Sequence, residues 1–172
     1  KETQTGYIRC LREMETSSED LAGQEQVRVF ESVREAAEFL STTEGKILIT
    51  TGSKELKEYT KIGNYQERCF ARVLSTKAAM EESVRLGFEG KHLIAMQGPF
   101  SEEMNLALLH QTRARYFVTK ESGKAGGFEE KLKAAKKAGA VLIVIGRPQE
   151  RGRSVQEVCH FIESNFGKKE QE

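Results

Sequence analysis

Cysteine is scarce in this chain and follows no pattern, which excludes two classes of protein at once. Cys10, Cys69 and Cys159 are odd in number and far apart. They fit neither a disulfide framework nor a zinc site, and we read them as reduced thiols of a cytoplasmic protein. His92, His110 and His160 share no ligand spacing with them, so no metal site is expected. Excess charge is missing too. The 27 basic and 26 acidic residues leave a formal net charge of +1, which gives no general attraction to nucleic acid or to an anionic membrane. The longest apolar run, Ala140 to Ile145, is far short of the roughly 20 residues that a bilayer span needs. No charged-then-apolar signal opens the chain, and no fixed-period repeat or low-complexity tract interrupts it.

What is present is the balance of a polar-surfaced globular domain of ordinary size, 38% hydrophobic and 31% charged over 172 residues. From residue 46 onward, short apolar runs alternate with segments of helical spacing. Lys46–Thr50 (KILIT), Cys69–Leu74 (CFARVL), His92–Met96 (HLIAM), Tyr116–Thr119 (YFVT) and Val141–Ile145 (VLIVI) read as strands. Helices are expected over Lys77–Leu86, with Met80 and Val84 at i, i+4 and Gly87 as its stop. Two more are expected over Glu102–Thr112 and over Glu129–Ala138, which ends at Gly139. A fourth, over Ser154–Phe166, opens with a Ser-x-x-Glu capping box and aligns Val155, Val158, Cys159, Ile162 and Phe166. Continuous apolar strands alternating with helices predict an α/β fold, a flavodoxin-like or Rossmann-like parallel sheet of about five strands with helices on both faces. Residues 1–45 are less regular. Gly6–Arg12 is a candidate strand and Val27–Phe30 a short one, followed by Ser32–Leu40 with its own capping box at Ser32 and Glu35. The opening Lys1-Glu2-Thr3-Gln4 is no ordinary initiation, so an excised piece of a longer protein is expected.

In an open parallel sheet, ligands bind outside the carboxyl ends of the strands. The loops there are Thr50-Thr51-Gly52-Ser53-Lys54, Leu74-Ser75-Thr76-Lys77, Gln97-Gly98-Pro99-Phe100-Ser101, the run from Thr119 to Gly127, and Gly146-Arg147-Pro148. Four of the five combine a glycine or hydroxyl with a basic residue. Helix N-termini carry unpaired N–H groups, glycine admits a close approach, and Lys or Arg adds charge, so the set suits a phosphorylated or polycarboxylate ligand. The plain alternative stays open: each hydroxyl can be an N-cap, each glycine a turn residue and each lysine solvated. The fourth loop is longer than capping requires, yet it is neither a Walker loop nor Gly-x-Gly-x-x-Gly. Elsewhere the signals are structural. Glu102 and Glu103 complement a helix dipole, His92 and His110 read as structural, and Cys69 and Cys159 read as core. Lys131, Lys133, Lys136 and Lys137 form a solvated helix face. No Ser-His-Asp or Cys-His arrangement emerges.

Taken in order, five blocks of residues resemble the precorrin-6A reductase family of cobalamin biosynthesis, including its cobalt-precorrin-6A form. They are Ile47-Leu48-Ile49-Thr50-Thr51-Gly52-Ser53-Lys54; Arg72-Val73-Leu74; Ile94 to Ser101 with Asn105-Leu106-Ala107; Val118-Thr119-Lys120-Glu121-Ser122-Gly123 with Gly126-Gly127 and Lys131; and Val144-Ile145-Gly146-Arg147-Pro148. The resemblance covers about residues 7 to 150. It implies an oxidoreductase of two flavodoxin-like domains around a cleft, reducing a macrocycle double bond to give precorrin-6B with NADPH or NADH. The implied cofactor or substrate contacts are Thr51, Gly52, Ser53, Gln97, Gly98, Pro99, Phe100, Ser101, Thr119, Lys120, Ser122, Gly123 and Arg147; no proton donor is indicated. The sequence departs from the family at Ser75, where a proline is expected, and in the absence of a first domain. Residues 1–26 are therefore expected to be a connecting strand and loop from a missing N-terminal domain, with 27–172 as the C-terminal flavodoxin-like domain, inactive by itself. Expected partners are the tetrapyrrole and that N-terminal domain, with no nucleic acid and no membrane. Two alternatives remain at this level: a non-enzymatic α/β module binding a nucleotide or tetrapyrrole, and a uroporphyrinogen-synthase-like enzyme, which needs no nicotinamide.

Overall fold

The computed structural model describes residues 7, 8, 10, 25–121, 127–146 and 152–166. One sheet holds the six strands β1 (Val27–Phe30), β2 (Lys46–Ile49), β3 (Cys69–Val73), β4 (Leu93–Ala95), β5 (Ala114–Lys120) and β6 (Val141–Ile145). They lie in the order β1-β6-β5-β2-β3-β4, with every adjacent pair parallel. Parallel neighbours require crossovers. These run through α1 (Val33–Ser41), the single turns α2 (Leu56–Tyr59) and α3 (Tyr65–Arg68), α4 (Lys77–Arg85), α5 (Glu102–Thr112) and α6 (Phe128–Ala138), while α7 (Val155–Phe166) follows β6. The expected α/β layer is present, but the expected strand count falls one short. Val27–Phe30 is the sixth strand, pairing along β6 from Val27↔Leu142 to Phe30↔Ile145.

Both faces of the sheet are covered, so the inner strands β2, β3, β5 and β6 bury both of their side-chain rows. Ile47, Ile49, Val118 and Ile143 pack toward α1, α2 and α4. Leu48, Phe70, Phe117 and Leu142 pack toward α5 and α6. Each such side chain, fully buried, contributes on the order of 2 kcal/mol, so a one-residue slip would exchange the two rows and misplace all of them.

Capping decides where the helices begin. Ser32 accepts a bond from the Glu35 N–H at 3.2 Å, and α1 then buries Val33, Ala36, Ala37 and Leu40 at helical spacing. Thr76 caps α4 in the same way, accepting from Ala79 N–H. Here the apolar pair read from the sequence faces outward. Met80 and Val84 are exposed, and α4 turns Ala79 and Ser83 onto the sheet. Small residues permit that approach, and the buried Ser83 hydroxyl donates to the Ala79 carbonyl at 2.7 Å.

The chain divides into two compact units, residues 16–147 and residues 1–15 with 148–172. The first holds the sheet and α1 to α6. In the second, Cys10 makes an isolated parallel bridge to Arg153; of the candidate strand 6–12, only residues 7, 8 and 10 are described. α7 opens with the expected reciprocal capping box: Glu157 N–H donates to Ser154 Oγ at 3.2 Å, and Ser154 N–H donates to the Glu157 carboxylate at 2.7 Å. Its apolar row is not a sealed core. Val155 and Ile162 are about half exposed, and Cys159, read as a core residue, is exposed. No helix among the described residues is long and apolar enough to cross a membrane, and none of their His, Cys, Asp and Glu side chains form a group of three that could hold a metal ion.

Candidate functional site

The strand order reverses between β2 and β5. From β2 the chain proceeds outward to β3 and β4, then returns to β5 on the other side. Connections on the two sides diverge there and leave a crevice at the carboxyl ends of these two strands. Backbone and side chain lock the floor of this crevice. The N–H and hydroxyl of Thr50 both donate to the Val118 carbonyl, at 2.9 and 2.7 Å.

The first loop rises from that floor. Thr51 turns inward, its hydroxyl 3.3 Å from that of Tyr59, and burial raises the Tyr59 phenol well above its ordinary value. Gly52 has φ +95°, a conformation that other residues rarely adopt, and no atom lies within 4 Å of where a Cβ would stand. Its backbone therefore borders open space. Ser53 begins a 3-10 turn, Ser53–Glu55, which leads into α2. Across the switch point, Lys120 at the end of β5 places its Nζ 2.6 Å from the Glu55 carboxylate. The charge on Lys120, read from the sequence as one supplied to an anionic ligand, is thus held in position by Glu55. Nothing in the sequence marked Glu55, because the pairing depends on β2 and β5 being neighbours.

Ser101 in the third loop caps α5, accepting from Met104 N–H at 3.3 Å. The Gly98–Pro99 peptide is cis. Gln97, Pro99 and Ser101 are exposed, whereas Phe100 folds back into the protein. A Cβ on Gly98 would stand 3.1 Å from the Phe100 ring, so glycine leaves the ring its place. The ring lies over the guanidinium of Arg72, 3.9 Å from Cζ to the centroid.

Arg72 was missed as a site residue. It occupies the penultimate position of β3 on the face of Phe70, and only 5% of it is exposed. Its Nη1 donates to Asn105 Oδ1 at 2.8 Å, and Asn105 Nδ2 donates to the Ser101 carbonyl at 2.9 Å. Burial lowers its pKa to about 10. A sequence signal existed: an arginine in the middle of an otherwise apolar strand is costly to bury without a reason.

The fourth loop joins the third from the other side. Gly127, with φ +64°, opens α6, and a Cβ there would stand 3.7 Å from the Phe100 carbonyl oxygen. Thr119 is fully buried; its hydroxyl donates to the Lys120 carbonyl at 3.2 Å and accepts from Lys131 Nζ at 3.1 Å. Lys131 therefore does not belong to a solvated face. It lies on the buried side of α6, between Phe128 and Ala135 at helical spacing. Burial lowers its pKa to about 8, and the nearby charge of Arg72 lowers it further, opposed by Glu130.

The remaining positions contribute less here. In the second loop, Ser75 and Thr76 are exposed, and Thr76 serves as a cap. Ser122, Gly123 and Arg147 lie outside the described residues. His92 is structural, its Nδ1 3.0 Å from the Cys69 carbonyl and its ring stacked on Phe70. His110 sits in the last turn of α5. A groove of about 640 Å³ lined by Val27, Leu132, Ala135, Lys136 and Ala140 opens near the amino ends of β1 and β6, at the opposite end of the sheet. The carboxyl edge thus combines an open glycine turn, exposed hydroxyls, a buried arginine beneath an aromatic ring and a buried lysine on Thr119. That equipment suits an anionic ligand.

The chain is similar to several known proteins. The family described as precorrin-6x reductase CbiJ/CobK matches residues 1–163. The cobalt-precorrin-6A reductase of Priestia megaterium is 38% identical over 167 residues, 94% of this chain and 64% of that relative. The protein of the same name in Methanothermobacter thermautotrophicus is 48% identical over 83 residues, 48% of this chain and 28% of the relative. A solved structure described as CobK precorrin-6A reductase shares the fold, with a TM-score of 0.67 at 18% identity, over 94% of this chain and 63% of that one. The chain spans a little under two thirds of the length of the Priestia relative. Since the family match runs through nearly all of the sequence and the loops at the switch point are those that carried the resemblance, the chain belongs to the precorrin-6x reductase family.

Proposed function

We propose that the complete protein reduces one double bond of precorrin-6A or cobalt-precorrin-6A, giving precorrin-6B or its cobalt form, with NADPH or NADH as reductant. In this reading the chain is the C-terminal half. Residues 1–26 lead from an N-terminal domain that forms the opposing wall of the cleft, and neither half is active alone. The observation that carries the reading is the convergence of the first, third and fourth loops at the switch point, seen in the Glu55–Lys120 pair and in Phe100 lying between Arg72 and Gly127. Dinucleotides bind open α/β sheets at this place.

Within this reading, a nicotinamide, when bound, would supply the hydride to one atom of the substrate double bond, and a proton taken up at the other would complete the reduction. The chain binds and orients. Gly52 offers backbone against open space, Ser53 and Ser101 offer hydroxyls, and Lys120 adds charge that Glu55 holds in position. Exposed Gln97 and Pro99 stand at the mouth, and Ser122 and Gly123 of the fourth loop and Arg147 of the fifth are assigned as further donors.

Titration of the complete protein with NADPH and with NADH tests this. Saturable binding is expected, and Lys120→Ala should weaken it about tenfold, roughly 1.4 kcal/mol. Absence of saturable dinucleotide binding rejects the reading. Turnover of precorrin-6A by residues 1–172 alone would contradict the two-domain cleft.

A further inference from the structure

A buried guanidinium without a carboxylate partner is unusual, because removing a charge from water costs several kcal/mol unless an opposite charge repays it. Among the described residues, Arg72 is such a group. Its partners are a neutral amide, Asn105 Oδ1, and the face of the Phe100 ring. Nε and Nη2 hold no hydrogen bond among the described residues. A second buried cation, Lys131, is near enough for the charge of Arg72 to depress its ionisation, so the two repel each other. Both lie near the carboxyl edge of the sheet, Arg72 beneath the Phe100 ring and Lys131 against Thr119 of β5. Lys120, the exposed lysine of that edge, already has its counter-charge in Glu55.

We propose that Arg72 is the anion anchor of the site, receiving one oxyanion of the ligand on its unused N–H edge, with Lys131 supporting the charge and Phe100 closing over it. The inference rests on the function proposed above and deepens it. A guanidinium presents parallel N–H groups that match the two oxygens of a carboxylate or a phosphate. An arriving oxyanion would relieve the repulsion between the two cations. It would also explain why α5 and α6 enclose a charge on a face of the sheet whose core is otherwise apolar. Phe100 and Asn105 hold the guanidinium plane in place before the ligand arrives, which reduces the ordering required on binding.

The oxyanion belongs either to the dinucleotide phosphates or to a carboxylate of the tetrapyrrole, and two probes separate these sources. The complete protein is titrated with NADPH and, separately, with uroporphyrin, a tetrapyrrole octacarboxylate. Arg72→Met should weaken one of the two by at least tenfold and leave the other within about twofold, with Arg72→Lys intermediate in the affected arm. Lys131→Met should weaken the same arm less. If the parent protein binds and both Arg72 variants, still folded, bind both probes as the parent does, the proposal is overturned while the functional reading stands. If the parent binds neither probe, both fall. Should the Arg72 variants fail to fold, Lys131→Met decides: unchanged affinity for both probes overturns the proposal.

Discussion

Two basic side chains of one helix show how much position decides at the scale of the residue. Lys133 and Lys131 are two apart on α6. The first pairs with Glu129 in solvent at 2.7 Å, and the second is buried against Thr119. The Lys131 pKa falls from an ordinary 10.5 to about 8. Between these values the unfolded chain binds more protons than the folded one, so the stability contributed by this site rises with pH across that window and is lost as pH falls through about 8. Lys131→Met removes the dependence. Its advantage in unfolding free energy over the parent should shrink by roughly 2–3 kcal/mol between pH 7 and pH 10.5, as measured by urea denaturation of both proteins at each pH. A difference that stays flat across the window would show that burial does not penalise this charge.

At the scale of the element, identical spacing leads to different outcomes. The Met80–Val84 pair on α4 has the separation of a core pair, yet both side chains face solvent. Ala79 and Ser83 lie beneath, because a helix seated closely on a sheet accepts only small residues at the contact. Strand β5 is the opposite case. It is the longest strand, pairs on both sides, and buries Phe117 completely. Phe117→Ala should therefore destabilise by about 3–5 kcal/mol, while Val84→Lys should stay within about 0.5 kcal/mol of the parent. Chemical denaturation of the two variants checks both. A substantial loss in Val84→Lys would mean that the exposed face of α4 is covered in solution.

At the scale of the whole molecule, the sheet and its helices fall within residues 16–147, and the remaining residues form a compact unit of their own. A protein limited to residues 16–147 should retain a cooperative thermal transition and the far-ultraviolet circular dichroism of an α/β fold. A broad, non-cooperative transition would show that residues 1–15 and 148–172 are needed to complete the core. Much of this organisation was legible beforehand. The apolar runs of β2, β3, β5 and β6 stood out because strands buried on both faces carry no polar alternation, and Ser32, Ser101 and Ser154 marked helix starts because a side-chain oxygen there satisfies an N–H that the helix leaves unpaired. Val27–Phe30 was legible as a strand and not as part of the sheet, since its pairing with β6 joins residues more than a hundred positions apart.

The candidate site divides along the same line. Gly52, Ser101, Thr119 and Lys120 could be found in sequence because turns, caps and strand ends are local features, set by the backbone preferences of a few neighbouring residues. Glu55 against Lys120, Phe100 over Arg72, and Lys131 beneath Thr119 are encounters between distant segments. By itself the sequence determined the elements, the family and the loops that crown the sheet. Only the tertiary structure decided which charges are neutralised in solvent and which are held in the interior, because the energy of a charge depends on what surrounds it in space and not on its neighbours along the chain.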